Sequence, residues 1–121
     1  MKISRLILET GMGNDLYGED YTKAACRAVQ DAIHHSSIAM FRSLELDSSK
    51  MRVNVWIGVV KPDLVNSDSV RKSLPHGHVR VNVVRGGLNI DDRENETVAV
   101  IATAAVEAFY EIDESSFRKS F

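Results

Sequence analysis

One cysteine, two prolines and no apolar run long enough to span a bilayer are the conspicuous shortages of this 121-residue chain. A lone thiol, Cys26, cannot close a disulfide within the chain, so no part of the fold is expected to need an oxidising compartment, and the expected location is cytoplasmic. Glu9 interrupts the apolar stretch from Ile3 to Leu8, which argues against a signal peptide or a membrane span there. Charge of one sign is also lacking. With 15 basic and 17 acidic residues the formal net charge is -2, and no basic patch announces nucleic acid. Neither nucleic acid nor a membrane is an expected partner.

What is present is the composition of an ordinary globular protein, 44% apolar and 26% charged. The length suits one domain, expected over residues 1–110, with a polar tail over residues 111–121. Within it, three glycines, an amide and a carboxylate crowd into Glu9-Thr10-Gly11-Met12-Gly13-Asn14-Asp15-Leu16-Tyr17-Gly18. A simple connection does not need so many special residues.

Read in order, Lys2 to Glu9 is short and β-branched at Ile3 and Ile7, and is expected to be a strand that delivers the glycine loop at its end. Asp20 is placed to cap a helix in which Tyr21, Ala24, Ala25, Ala28, Val29, Ala32 and Ile33 form one apolar face. The stripe becomes ragged after His34-His35, which predicts a bend or second short helix through Leu44, then a turn at Asp47-Ser48-Ser49-Lys50. Met51 to Val60 alternates, with Met51, Val53, Val55, Ile57 and Val59 on one side and Arg52, Asn54, Trp56 and Gly58 on the other, the pattern of a strand. Ser67 or Asp68 is expected to cap a short helix ended by Pro75, with His76-Gly77 turning the chain into a third strand over Val79 to Arg85. Arg52-Val53-Asn54-Val55 recurs as Arg80-Val81-Asn82-Val83, which implies two strands with equivalent faces in one sheet. Gly86-Gly87 follows that strand. Val98, Ile101, Ala102, Ala105 and Phe109 then predict a second long helix over about Glu94 to Tyr110, with Glu107 its single charge after Thr97. Apolar residues on its other faces call for a second packing partner, so a homo-oligomer is expected.

The resulting order, β-α-β-(short α)-β-α, implies an α/β or α+β fold in which two long helices cover a single-layer sheet of three or more strands. If the first and third strands are parallel, both glycine loops lie at one edge of the sheet, where open α/β sheets bind ligands.

The glycine loop carries the chemistry of the reading. Gly11, Gly13 and Gly18 allow close backbone approach, and the following helix offers free N–H groups, a geometry suited to an anion. Asp15 is the candidate acid/base, Tyr17 the candidate proton donor or orienting group, and Asn14 with the backbone the candidate binding groups, completed by Arg85, Gly86 and Gly87. The plain alternative is a tight turn in which Asp15 bonds its own backbone. The loop is not a phosphate-binding Walker loop, since no lysine and hydroxyl follow it. His34 and His35 point to different sides of a helix and His76-x-His78 has no third ligand, so no metal site is expected. Cys26 reads as a packing residue. Arg80 and Arg85 are positioned to hold a carboxylate or phosphate.

The pattern Gly11-x-Gly13-x-Asp15-x-Tyr17-Gly18, with the strand before it and Thr22-Lys23-Ala24-Ala25 after it, resembles a small uncharacterised family of short bacterial and plant proteins. That family is marked by a glycine-x-glycine-x-aspartate-x-histidine-glycine motif. The likeness extends to Asp31-Ala32-Ile33-His34-His35 and Leu74-Pro75-His76-Gly77, and Tyr17 stands where the family has histidine. The resemblance implies no activity. A more distant likeness is to the cyclodiphosphate synthase of isoprenoid biosynthesis, a trimeric enzyme whose similar motif binds zinc through aspartate and histidine. Only Asp15 carries over, so neither zinc nor the reaction is transferred.

The expectation is therefore an α/β-type homo-oligomer that binds a small polar or anionic metabolite at the glycine loop, with Asp15 as acid/base if it is an enzyme. The alternatives are a non-catalytic ligand-binding module and an assembly protein in which the loop is structural. No cofactor is indicated.

Overall fold

Alternation of small and β-branched residues, more than helix propensity, decides what the chain becomes. The computed structural model describes residues 2–34, 50–74 and 78–112. In order these form β1 (Lys2–Asp15), α1 (Tyr21–His34), β2 (Arg52–Val59), a 3-10 turn (Pro62–Leu64), α2 (Ser67–Lys72), β3 (His78–Arg85), β4 (Leu88–Asp92) and β5 (Thr97–Ile112). The expectations for residues 35–49, for the Pro75 stop and its following turn, and for the tail beyond Ile112 lie outside the described residues.

The five strands make one mixed sheet. β5 runs through its middle, antiparallel to β1 along one side. Its other side is shared, with β4 pairing from Thr97 to Ile101 and β2 pairing from Thr103 to Phe109. β3 lies outside β2 as a parallel neighbour, so β1, β2 and β3 all point the same way. The repeated Arg-Val-Asn-Val segments do share a sheet with equivalent faces. They are offset by two residues, so that Asn54 pairs with Arg80 and Trp56 with Asn82.

Both helices pack on one face. On α1, Tyr21, Ala24, Ala25, Ala28, Val29 and Ala32 are buried, as their spacing predicts. Asp20 caps the helix, its Oδ1 accepting the Lys23 N–H at 3.0 Å. Asn66 caps α2, accepting from the Ser69 N–H at 3.2 Å, and takes the role expected of Ser67 or Asp68. The core lies between these helices and Val53, Val55, Ile57, Val59, Val100, Ala102, Ala104 and Val106 of the sheet. Among the described residues, no helix is long and apolar enough to cross a membrane.

Two expectations are corrected here. The second long helix does not exist: Glu94 sits in a turn, and Thr97 onward is the central strand. The fold is a mixed five-stranded sheet with one long and one short helix on a single face, not a sheet covered by two long helices. The physical reason is legible in the burial, since Val100, Ala102, Ala104, Val106 and Ala108 are the buried members, with a period of two. Alanine favours helices in isolation, but tertiary packing overrides a propensity of this size. The second correction concerns β1, which continues through the glycines to Asp15 instead of ending at Glu9. At the other end of the domain, β5 takes in Glu111 and Ile112, two residues assigned to the tail.

Candidate functional site

Gly11 and Gly13 are strand residues lying under α1. A Cβ on Gly11 would come within 2.4 Å of the Ala32 nitrogen, and one on Gly13 within 2.2 Å of the Ala28 nitrogen. Two residues of strand advance roughly 6.7 Å and four residues of helix about 6.0 Å, so glycines two apart match alanines four apart. Gly11 and Gly13 thus face the row Ala24, Ala28, Ala32, and the helix backbone rests directly on the strand.

Asp15, at the end of β1, is 6% exposed. Its Oδ2 accepts the Asp20 N–H at 2.9 Å, and Arg27 Nη1 lies 3.7 Å from Oδ1. The same Arg27 nitrogen donates to the Asn14 carbonyl at 2.7 Å. A Cβ on Gly18 would stand 2.8 Å from Asp15 Oδ2, so glycine there leaves room for the carboxylate. Tyr17 is 70% exposed, and its carbonyl accepts the Thr97 hydroxyl at 3.3 Å. Neither Asp15 nor Tyr17 is among the residues lining the hollow described next. Asp15 is an acceptor that closes the turn into α1.

Among the described residues no helix covers the sheet's other face, and it carries a concavity. A hollow of about 610 Å³ opens there, with Thr10, Gly11 and Met12 at the β1 side, where it reaches round the strand edge to Asp31 of α1, and Val84, Arg85 and Gly86 at the β3 side. Its floor is low because Gly58 has no side chain: a Cβ at that position would meet Thr103 Oγ1 at 2.7 Å and the Gly86 Cα at 3.5 Å. Three of the expected ligand-binding residues, Gly11, Arg85 and Gly86, meet in this hollow. Gly13, Asn14 and Gly18 do not line it, nor does Gly87, whose φ of 62° and close approach to the Ile101 and Gly58 carbonyls serve the turn into β4. Arg85 has no hydrogen-bond or ion-pair partner among the described residues.

Beside the hollow lies a polar network. Glu107 accepts from the Trp56 indole at 2.9 Å, from Asn54 Nδ2 at 3.3 Å and from Arg5 Nη1 at 3.2 Å. Asn82 Nδ2 donates onward to Asn54 Oδ1 at 2.6 Å. The indole donor holds the Glu107 carboxyl below its ordinary range, with Arg5 and Asn54 adding to the effect against some opposition from desolvation. Met12, Trp56, Thr103 and Glu107 were not among the site residues read from the sequence. The isolated charge of Glu107 in an apolar segment was the available signal, since the same period of two places it opposite Asn54 and beside Trp56.

Of the other candidates, Cys26 is half-buried, and burial, reinforced by Asp20, pushes its thiol pKa up, as suits a packing residue. His34 is exposed and bonds the Gln30 carbonyl. His35 and His76 lie outside the described residues. Among the described residues no three metal-ligating side chains cluster.

Residues 5–108 match the conserved hypothetical protein family Lin0512_fam. The chain belongs to that family. A solved relative is a crystal structure of an FtsZ-like protein of unknown function from Nostoc punctiforme, 32% identical, with a TM-score of 0.79 over 93% of this chain and 99% of that one. No curated protein matches. Membership in Lin0512_fam spans β1 to nearly the end of β5, so both the glycine-bearing strand and the uncovered sheet face fall within the matched residues.

Proposed function

We propose that this Lin0512_fam protein binds a small polar or anionic metabolite without transforming it, and that the ligand lies in the hollow on the uncovered sheet face. One observation carries the reading: the hollow unites Gly11 with Arg85 and Gly86, while Asp15 is spent on closing a turn. A ligand there has an apolar portion against Met12, Trp56 and Val84 and an acidic group reached by Arg85, whose guanidinium suits carboxylate or phosphate. The same reading includes a homo-oligomer. Ile3, Leu8, Leu88 and Ile90 are about half-exposed, and a second copy covering them would enclose the ligand.

The test is a thermal-shift screen against carboxylated and phosphorylated metabolites, with native mass measured in parallel. Ligand present at about a hundred times its dissociation constant adds about 2.7 kcal/mol to folding stability. A hit that survives Asp15→Asn and is lost in Arg85→Ala and Gly58→Val, the latter filling the floor, supports the proposal. A hit lost in Asp15→Asn but kept in the other two, with product appearing over time, returns the chemistry to the β1 end.

A further inference from the structure

Two arginines and a histidine converge at the opposite end of that sheet face, away from Arg85, with which Arg80 was grouped on sequence grounds. Arg52 of β2 stands beside His78 of β3 in the sheet register, and Arg80 follows two residues along on the same face. Phe109 of β5 is the cross-strand neighbour of Arg52 on its other side. These side chains, with Asn54, line a second hollow of about 340 Å³ that shares no residue with the larger one.

Among the described side chains no carboxylate pairs with Arg52 or Arg80. The nearby carboxylate, Glu107, is occupied by Trp56, Asn54 and Arg5. Asn54 is committed at both ends, donating to Glu107 and accepting from Asn82. The side chains of Arg52, His78 and Arg80 have no hydrogen-bond or ion-pair partner among the described residues. Arg52 and Arg80 lie diagonally on neighbouring strands, so that one bound anion can be shared between them.

We propose that Arg52, His78 and Arg80 form an anion site for a phosphate monoester, with Phe109 beneath the organic part of the ligand. Guanidinium groups match phosphate oxygens in pairs, an imidazole N–H supplies a further donor, and an aromatic face accommodates a planar substituent. The hollow has room for one phosphate and a ring or short chain. This site is independent of the ligand proposed for the larger hollow.

Inorganic phosphate is the probe, titrated calorimetrically into the intact protein with chloride adjusted to hold ionic strength constant. Saturable binding is expected, weakened about tenfold by Arg52→Gln or Arg80→Gln, in keeping with loss of one charge-assisted contact, and less by Arg80→Lys. Arg71→Gln, on α2 and outside both hollows, leaves it unchanged. Melting curves check folding, and these exposed positions are expected to leave the melting temperature in place. Absence of saturable binding overturns the proposal, as does equal binding to wild type and the Arg52→Gln/Arg80→Gln double variant. Loss in Arg85→Gln alone moves the anion to the larger hollow. Affinity for oligonucleotides that grows with their length overturns the small-anion assignment in favour of an extended polyanion.

Discussion

The Trp56 indole N–H donates to the Glu107 carboxylate at 2.9 Å, joining β2 to β5 on the face that neither helix covers. Because this bond lowers the folded-state pKa of Glu107, its stabilising contribution is fully present above the unfolded value and disappears as pH falls through the folded one. Acid titration of the fluorescence of Trp56, the chain's one tryptophan, should show a transition below about pH 4.3, the ordinary glutamate value. Glu107→Gln should remove that transition and flatten the acid limb of the stability curve. An unchanged transition in the variant would assign it to another carboxylate.

The contact between α1 and β1 predicts a sharp intolerance. Gly13→Ala should cost about 3 kcal/mol in denaturant unfolding, since the added methyl meets helix backbone that has no side chain to swing aside. Gly86→Ala should cost less, because its nearest atom is 3.2 Å away and is a glycine Cα. Equal costs at the two positions would mean that α1 relaxes outward readily.

Asp15→Ala removes the acceptor for the Asp20 N–H and should destabilise the fold by about 1–3 kcal/mol. Asp15→Asn retains an oxygen there and should cost less. Chemical unfolding of both variants decides this. A variant of unchanged stability with altered ligand turnover would show that the carboxylate serves chemistry instead.

Asn89 donates to the Tyr21 hydroxyl at 2.7 Å, while its own Oδ1 is buried without a partner among the described residues. Tyr21→Phe leaves both polar atoms of that amide unanswered and should cost about 2 kcal/mol. Restoring an apolar match with Asn89→Leu in the same chain should recover part of the loss. A double-mutant cycle measures the coupling.

How far the sequence discloses this protein varies by element. The α1 stripe, its Asp20 cap and the alternation of β2 were legible because one helix face and one strand face each bury a regular pattern. β5 was not, since apolar residues on both its faces let Val98, Ile101, Ala102, Ala105 and Phe109 also satisfy a helical stripe. Only the close approach of α1 explains why residues so small belong on the buried face of a strand. The glycines of β1 marked an unusual place correctly, but their purpose appears only when Gly11 and Gly13 are matched to Ala24, Ala28 and Ala32 across the interface. The uncovered face was half-visible: Arg52, Asn54, Trp56 and Gly58 were grouped on one side of β2, while the partner strand that gives Glu107 its place among them had been read as a helix.

Among the described residues, β5 is the last strand in chain order and the only one that β1 pairs with. During synthesis β1 therefore waits for residues about a hundred positions away before its edge is filled, and until then, among the described strands, only β2 and β3 can pair. Contacts of such sequence separation slow folding and prolong the exposure of unpaired edges. A nascent chain halted before Thr97 would present β1 and β2 as open templates, so the segment that completes the sheet also protects the newly made protein from its neighbours.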